Sequence, residues 1–154
     1  MIPSRRAGAT HPPECDRVTE PDHGDIERFV RGTLGCGCPD EVFRTVSLSR
    51  LPAVPGRPAV LQLLIGSRLL IHVAAAPAEP SAAGWLEQLA ANGRAARDRH
   101  GYNRFRLVVV GVVTTAPAAE LEARFARALA RDERAHLHLL DAAQLPAQLA
   151  MTSE

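Results

Sequence analysis

VLQLLIGSRLLIHV, residues 60–73, decides how this chain folds. Two apolar runs of strand length flank Gly66 and Ser67, a pair that reads as a two-residue hairpin turn with glycine first. Working outward, RTVSLSRL (44–51) alternates, with Val46 and Leu48 on one face, and the proline-rich PAVPGRP (52–58) joins it to the hairpin. The three runs predict an antiparallel meander. Beyond Pro77 and Pro80, SAAGWLEQLAANGRAARDRH (81–100) has helical periodicity, with Ser81 as N-cap and Trp85, Leu86, Leu89 and Ala90 as the buried stripe. RFRLVVVGVV (104–113) has a continuous apolar run, the pattern of a central strand buried on both faces. APAAELEARFARALAR (116–131) is an amphipathic helix with Leu121, Phe125 and Leu129 on one side. AHLHLLD (135–141) is a further strand, and AAQLPAQLA (142–150) a last short helix.

Upstream of the meander, DIERFVRGTLG (25–35) places Ile26, Phe29, Val30 and Leu34 at helical spacing, with Gly35 as its stop. PDEVFRTV (39–46) opens on Pro39 and two acids, a helix-start signal. The expected fold class is therefore α/β (α+β): a mixed sheet in which a three-strand antiparallel meander is followed by strand–helix–strand, with helices on both faces. A single domain spans 23–150, between an N-terminal arm (1–22) rich in Pro, Gly, Arg and acids and a short tail (151–154).

Composition narrows the function classes. The chain has 154 residues, 46% of them hydrophobic, enough for one core. Its net charge of +1 gives no overall attraction to nucleic acid or membrane. All 18 basic residues are arginine, which excludes Schiff-base lysine chemistry and a P-loop lysine. No apolar run reaches the length of a spanning helix, and the N-terminus lacks the pattern of a signal peptide, so a cytoplasmic, non-membrane protein is expected. No nucleotide-binding glycine loop, metalloprotease motif or locally supported Ser–His–Asp arrangement is present.

The element order over residues 24–115 resembles the core of the restriction-endonuclease-like nucleases. That family carries an acid on its second core strand, and an acid and a lysine on its third. The hairpin here has no Asp, Glu or Lys, so the resemblance implies a nuclease-like fold without the nuclease chemistry. LGCGCP, residues 34–39, is also similar to a stretch of an uncharacterised bacterial protein family, which transfers no activity.

Two segments could carry chemistry. Cys36 and Cys38 flank Gly37, and Cys38 precedes the Pro39 helix start, where amide groups and the helix dipole lower a thiol pKa. A thiolate is both metal ligand and nucleophile. Cys15 and His23, or His11, could complete a tetrahedral zinc site with Cys36 and Cys38, giving a structural or metal-handling role. The same pair could instead exchange as a redox disulfide, or merely pack as small apolar residues in a tight turn. The second segment holds Arg94, Arg97, Arg99, Arg104 and Arg106 with Tyr102 and Phe105 among them, a pattern for phosphate or nucleic acid, set against the ordinary cationic end of a solvated helix.

Among the histidines, His136 and His138 alternate and so share one strand face, which is expected to be exposed rather than to form a metal pair. His72 is expected to be buried or at an edge. The reading that follows is a binding or accessory protein rather than an enzyme. A partner protein or a second copy could dock on a strand edge or the arm.

Overall fold

The computed structural model describes residues 23–35, 37, 39–55, 58–80, 82–111 and 115–149. The apolar runs assemble into one five-stranded sheet in the order β1-β2-β3-β4-β5: β1 Val46–Leu51, β2 Val60–Ile65, β3 Leu69–Ala75, β4 Arg104–Val110 and β5 Ala135–Leu140. The first three strands are antiparallel neighbours, with Val46 opposite Ile65 and Leu63 opposite Ile71. β3–β4 and β4–β5 are parallel, with Leu69 opposite Arg104 and Arg106 opposite His136. Parallel neighbours need crossovers. Here they are α2 (Trp85–His100) and α3 (Thr115–Ala128), following α1 (His23–Arg28) near the start of the chain. The mixed α/β architecture is the one the sequence predicts. The middle strand is β3, whose residues 69–74 are all buried, while β4 lies beside it with Leu107–Val110 buried.

The two faces carry separate cores. On one, α1 and the turns after it set Ile26, Phe29, Val30, Leu34, Val42 and Phe43 against Leu63, Ile71, Val108 and Val110. On the other, α2 and α3 set Leu86, Leu89, Leu121, Phe125 and Leu129 against Leu70, Phe105, Leu107 and Val109. The hairpin forms, but its turn spans three residues, Gly66–Arg68, not the expected two: Ile65 pairs with Leu69, and Arg68 N–H donates to Ile65 O at 3.0 Å. Within that bond both central residues take positive φ, +60° at Gly66 and +59° at Ser67, the requirement of a type I′ turn. Glycine is needed at the first position for a second reason: a Cβ there would lie 2.3 Å from the Val42 carbonyl oxygen.

Three further local expectations are corrected. The helix after Pro80 starts at Trp85 with Gly84 as its N-cap, not at Ser81, which lies outside the described residues. The Trp85 indole donates to Pro80 O at 3.1 Å and the Glu87 carboxylate accepts the Gly84 N–H at 3.2 Å, fixing the N-cap at Gly84. The first helix changes after one and a half turns into a π turn, Phe29–Thr33, and then stops at Gly35 (φ +73°). The segments behind Pro39 and in AAQLPAQLA form only 3-10 turns, Asp40–Arg44, Ala142–Gln144 and Ala147–Leu149. The last two are separated at Pro146, which has no N–H to continue a helix.

Candidate functional site

Strand alternation puts Arg104 and Arg106 of β4 on the same face as Val108 and Val110. On β5 it puts His136 and His138 on that face as well, with His136 directly across from Arg106. The α1 side of the protein covers this face at Val108 and Val110, further along β4. At the start of the strands it leaves a cleft of about 610 Å³, lined by Gly37 and Pro39 on one side, Arg68, Leu69 and Asn103 at the rim, and Arg104, Arg106 and His136 on the floor. Arg68 belongs to the β2–β3 turn. Its carbonyl accepts the N–H groups of Asn103 and Arg104 at 2.9 and 3.0 Å, which ties that turn to the start of β4.

No carboxylate lines this cleft among the described residues. Arg68 and Arg104 are exposed and have no ion-pair partner among them. Arg106 is half-buried. Its Nη1 donates to Leu34 O at 2.9 Å and meets His138 Nε2 at 2.8 Å, while its buried Nε has no hydrogen-bond partner among the described residues. Because Arg106 can only donate, His138 Nε2 accepts, and the imidazole is the neutral tautomer with its proton on Nδ1. Burial, then the charge of Arg106 and the neighbouring His136, pushes His138 down to about 4. Burial and the charges of Arg106 and Arg104 also push His136 down, with Asp132 opposing. Arg106 itself is lowered, by burial first and then by Arg104. Several cations thus share one partly desolvated space with no acid among its described lining residues, an arrangement an anion would relieve.

The arginines grouped by sequence divide into two sets. Arg97 is 2% exposed and holds Asp98 and Asp132, with a 2.9 Å contact from Nη2 to the Asp132 carboxylate. Arg94 donates to Leu129 O at 3.2 Å. Both therefore join α2 to the end of α3. Arg99 is exposed on α2, and only Arg104 and Arg106 reach the cleft. The five form no single surface. His136 and His138 share a face as expected, but they are partly buried rather than fully exposed. His72 is buried, 2.9 Å from the Gln62 side-chain oxygen and edge-on to Phe105.

Cys15, Cys36 and Cys38 lie outside the described residues, as does His11. His23 begins α1, but its side chain is not described. Of the Cys-Gly-Cys segment, only Gly37 is placed, at the wall of the cleft. Among the described residues no three His, Cys, Asp or Glu side chains group to hold a metal, and no helix is long and apolar enough to cross a membrane. Reading by residue type misses Arg68, which arrives from a turn. The available signal was the period-2 pairing of Arg104 and Arg106 on one strand with His136 and His138 on the next. No protein-family model matches the chain, and no curated protein or solved structure matches it.

Proposed function

We propose that this protein is a small binding protein for an anionic molecule, which it holds over the starts of β4 and β5. One observation carries the reading: Arg68, Arg104, Arg106 and His136 converge on a cleft of about 610 Å³ with no carboxylate among its described lining residues. That volume falls within the 300–1,000 Å³ range of small-ligand pockets. Guanidinium groups are the natural partners of carboxylate and phosphate oxygens, and their hydrogen bonds to charged groups are the strong ones. Titration calorimetry with phosphate, sulfate and citrate at low ionic strength tests it. At least one of these anions is expected to bind stoichiometrically. An Arg68→Ala/Arg104→Ala double variant, which removes no side-chain hydrogen bond among the described residues, should bind it about 10-fold or more weakly, the equivalent of losing about 1.4 kcal/mol. Affinity that is unchanged in the double variant would place the anion elsewhere.

A second reading concerns the thiols. Gly37 borders the cleft, and Cys36 and Cys38 are its chain neighbours. Fixed positive charge near a thiol favours the thiolate, which supports a reactive or redox pair. The same surroundings oppose a bare dication. A zinc site built from Cys36 and Cys38 with Cys15 and His23 would therefore depend on all its thiolates for charge balance. Native mass spectrometry of the reduced protein beside a Cys36→Ser/Cys38→Ser variant separates the two. For a thiol pair we expect no stoichiometric metal on either protein and alkylation of the wild type at neutral pH. A metal on the wild type alone would make the segment a metal clamp. Either role suits an accessory protein of the cytoplasm, where thiols stay reduced. Nucleic-acid binding through the arginines has less support, because Arg94 and Arg97 are engaged within the fold.

A further inference from the structure

We propose that the anion is the tetrahedral, doubly charged oxyanion group of an organic ester, gripped by Arg104 and Arg106, with His136 taking up a proton as it binds. The proposal rests on the cleft being an anion site and names the class of anion.

Donor geometry is the first argument. Arg104 and Arg106 stand two residues apart on one strand, so their backbones are separated by roughly 7 Å along it. His136 lies across from Arg106 on the neighbouring strand, roughly 5 Å to the side. Arg68 approaches from the β2–β3 turn. A single guanidinium fork satisfies a planar carboxylate with two parallel hydrogen bonds. Donors converging from two strands and a turn instead suit a group whose oxygens point in several directions. A tetrahedral oxyanion presents three such oxygens beyond its ester bond.

Charge and size give the next two arguments. Arg104 and Arg106 are close enough for one to disfavour the charge on the other, and no acid among the described lining residues offsets them. A dianion neutralises such a pair, whereas a monoanion leaves excess charge. At about 610 Å³ the cleft is also far larger than one phosphate-sized ion. Leu69 and Pro39 add apolar wall beside the cations, a place for the organic part of an ester.

The proton follows from what surrounds His136. Arg104 and Arg106 face it from β4, Asp132 from the turn before β5, and His138 lies two residues along its own strand; Glu122 of α3 and Glu133 line a second pocket that His136 also borders. Asp132 is already engaged, accepting from Arg97 and from the Arg134 N–H at 2.9 Å each. His138 is held as an acceptor by Arg106. With the cleft empty, burial first and then the charges of Arg106 and Arg104 keep His136 neutral at neutral pH. A dianion among them reverses the sign of the field, so His136 gains a proton and becomes another donor. For an anion that keeps its own charge, such as sulfate, binding consumes protons and affinity rises as pH falls from 8 to 6; a phosphate monoester, with a second pKa of about 6, loses its second charge toward the lower end and so gains less.

Calorimetry with the full chain tests each element, using phenyl phosphate, inorganic phosphate, inorganic sulfate and isophthalate, a planar dianion. Phenyl phosphate is expected to bind at least about 10-fold more tightly than isophthalate or inorganic phosphate. Sulfate keeps its charge across this pH range, so it isolates the protons taken up by the protein. Titrations with sulfate at pH 6.5, in two buffers of different ionisation enthalpy, should show proton uptake that is absent in His136→Gln. Isophthalate binding as tightly as phenyl phosphate would overturn the tetrahedral assignment and leave the anion cleft standing. Inorganic phosphate binding equally well would make the ligand a free ion, not an ester. Proton uptake unchanged in His136→Gln would remove His136 from the site. No binding of any of the four would end this proposal, and with citrate silent as well it would end the anion-binding reading too.

Discussion

Replacing Gly93 with valine is expected to lower the stability of the folded chain by about 3 kcal/mol, the upper range for overpacking a core. The site has no space to give. A Cβ at Gly93 would come within 1.9 Å of the Phe105 ring, which is fully buried. That ring cannot swing aside, because β4 fixes its backbone between β3 and β5 and His72 packs edge-on against it, with ring centroids 5.6 Å apart. Glycine in a helix interior ordinarily costs about 1 kcal/mol relative to alanine. Here it allows α2 to approach the sheet closely enough to seat an aromatic ring. Phe105→Ala alone should cost about 4 kcal/mol by leaving a cavity. In the double variant the valine methyl groups enter that cavity, so the two losses should fall well short of additive, by about 2 kcal/mol or more. Urea unfolding of the four proteins measures the coupling. Strictly additive losses would mean that Gly93 and Phe105 do not share this contact.

The same pair shows how far the sequence can be read. The strands and their order follow from period-2 and continuous apolar runs. Trp85, Leu86, Leu89 and Ala90 declare the face that α2 buries. Nothing in NGRAAR announces that Gly93 receives Phe105, because the contact depends on how strand and helix are juxtaposed, not on either segment alone. The π turn at Phe29–Thr33 is hidden for a related reason. Ile26, Phe29, Val30 and Leu34 keep an apolar face whether the backbone bonds run four or five residues back. The start of α2 misleads in the opposite way. Ser81 is a good capping residue by type, but the entry is set by Trp85 and Glu87.

The candidate site divides along the same line. Alternation reveals that His136 and His138 share a face, and the arginine-rich stretch 94–106 flags Arg104 and Arg106. Treating that run as one surface fails, because the helix end turns Arg97 toward Asp132 while the strand sends Arg106 to the opposite side of the sheet. Arg68 could be added only once the hairpin turn was known to meet the start of β4. Residue type locates the ingredients of a cationic cleft, but chain direction and sheet order decide which of them meet.

Arg124→Met is expected to destabilise the fold by about 2 kcal/mol, below the range for breaking a fully buried ion pair because its partner Glu87 is partly exposed. Arg124 is 6% exposed and makes a two-pronged bond to Glu87, with both N···O distances 2.9 Å. It also donates to Ala82 O at 3.0 Å and Pro80 O at 3.3 Å, and lies over the Trp85 ring. One guanidinium thus joins α3 to the first turn of α2 and satisfies carbonyls of the segment leading into that helix. Methionine keeps much of the apolar stem but leaves those acceptors without it. The pair also sets a pH dependence whose sign is determined. The hydrogen bonds from Arg124 hold Glu87 at about 2, against an ordinary value of 4.5. Its contribution is therefore fully present above pH 4.5 and is lost as pH falls toward 2. Glu87 is 42% exposed on its side chain, so solvent screening makes the loss smaller than a buried pair would give. Urea unfolding at pH 3 and pH 6 should show a clear drop for the wild type and a smaller one for Glu87→Gln. In Arg124→Met the drop should shrink toward that of Glu87→Gln, because the largest cause of the lowered carboxylate is gone and only burial and the backbone hydrogen bonds from Glu87 and Gly84, which oppose one another, remain. A full wild-type drop persisting in Arg124→Met would show that some other carboxylate, not this clamp, carries the acid sensitivity of the fold.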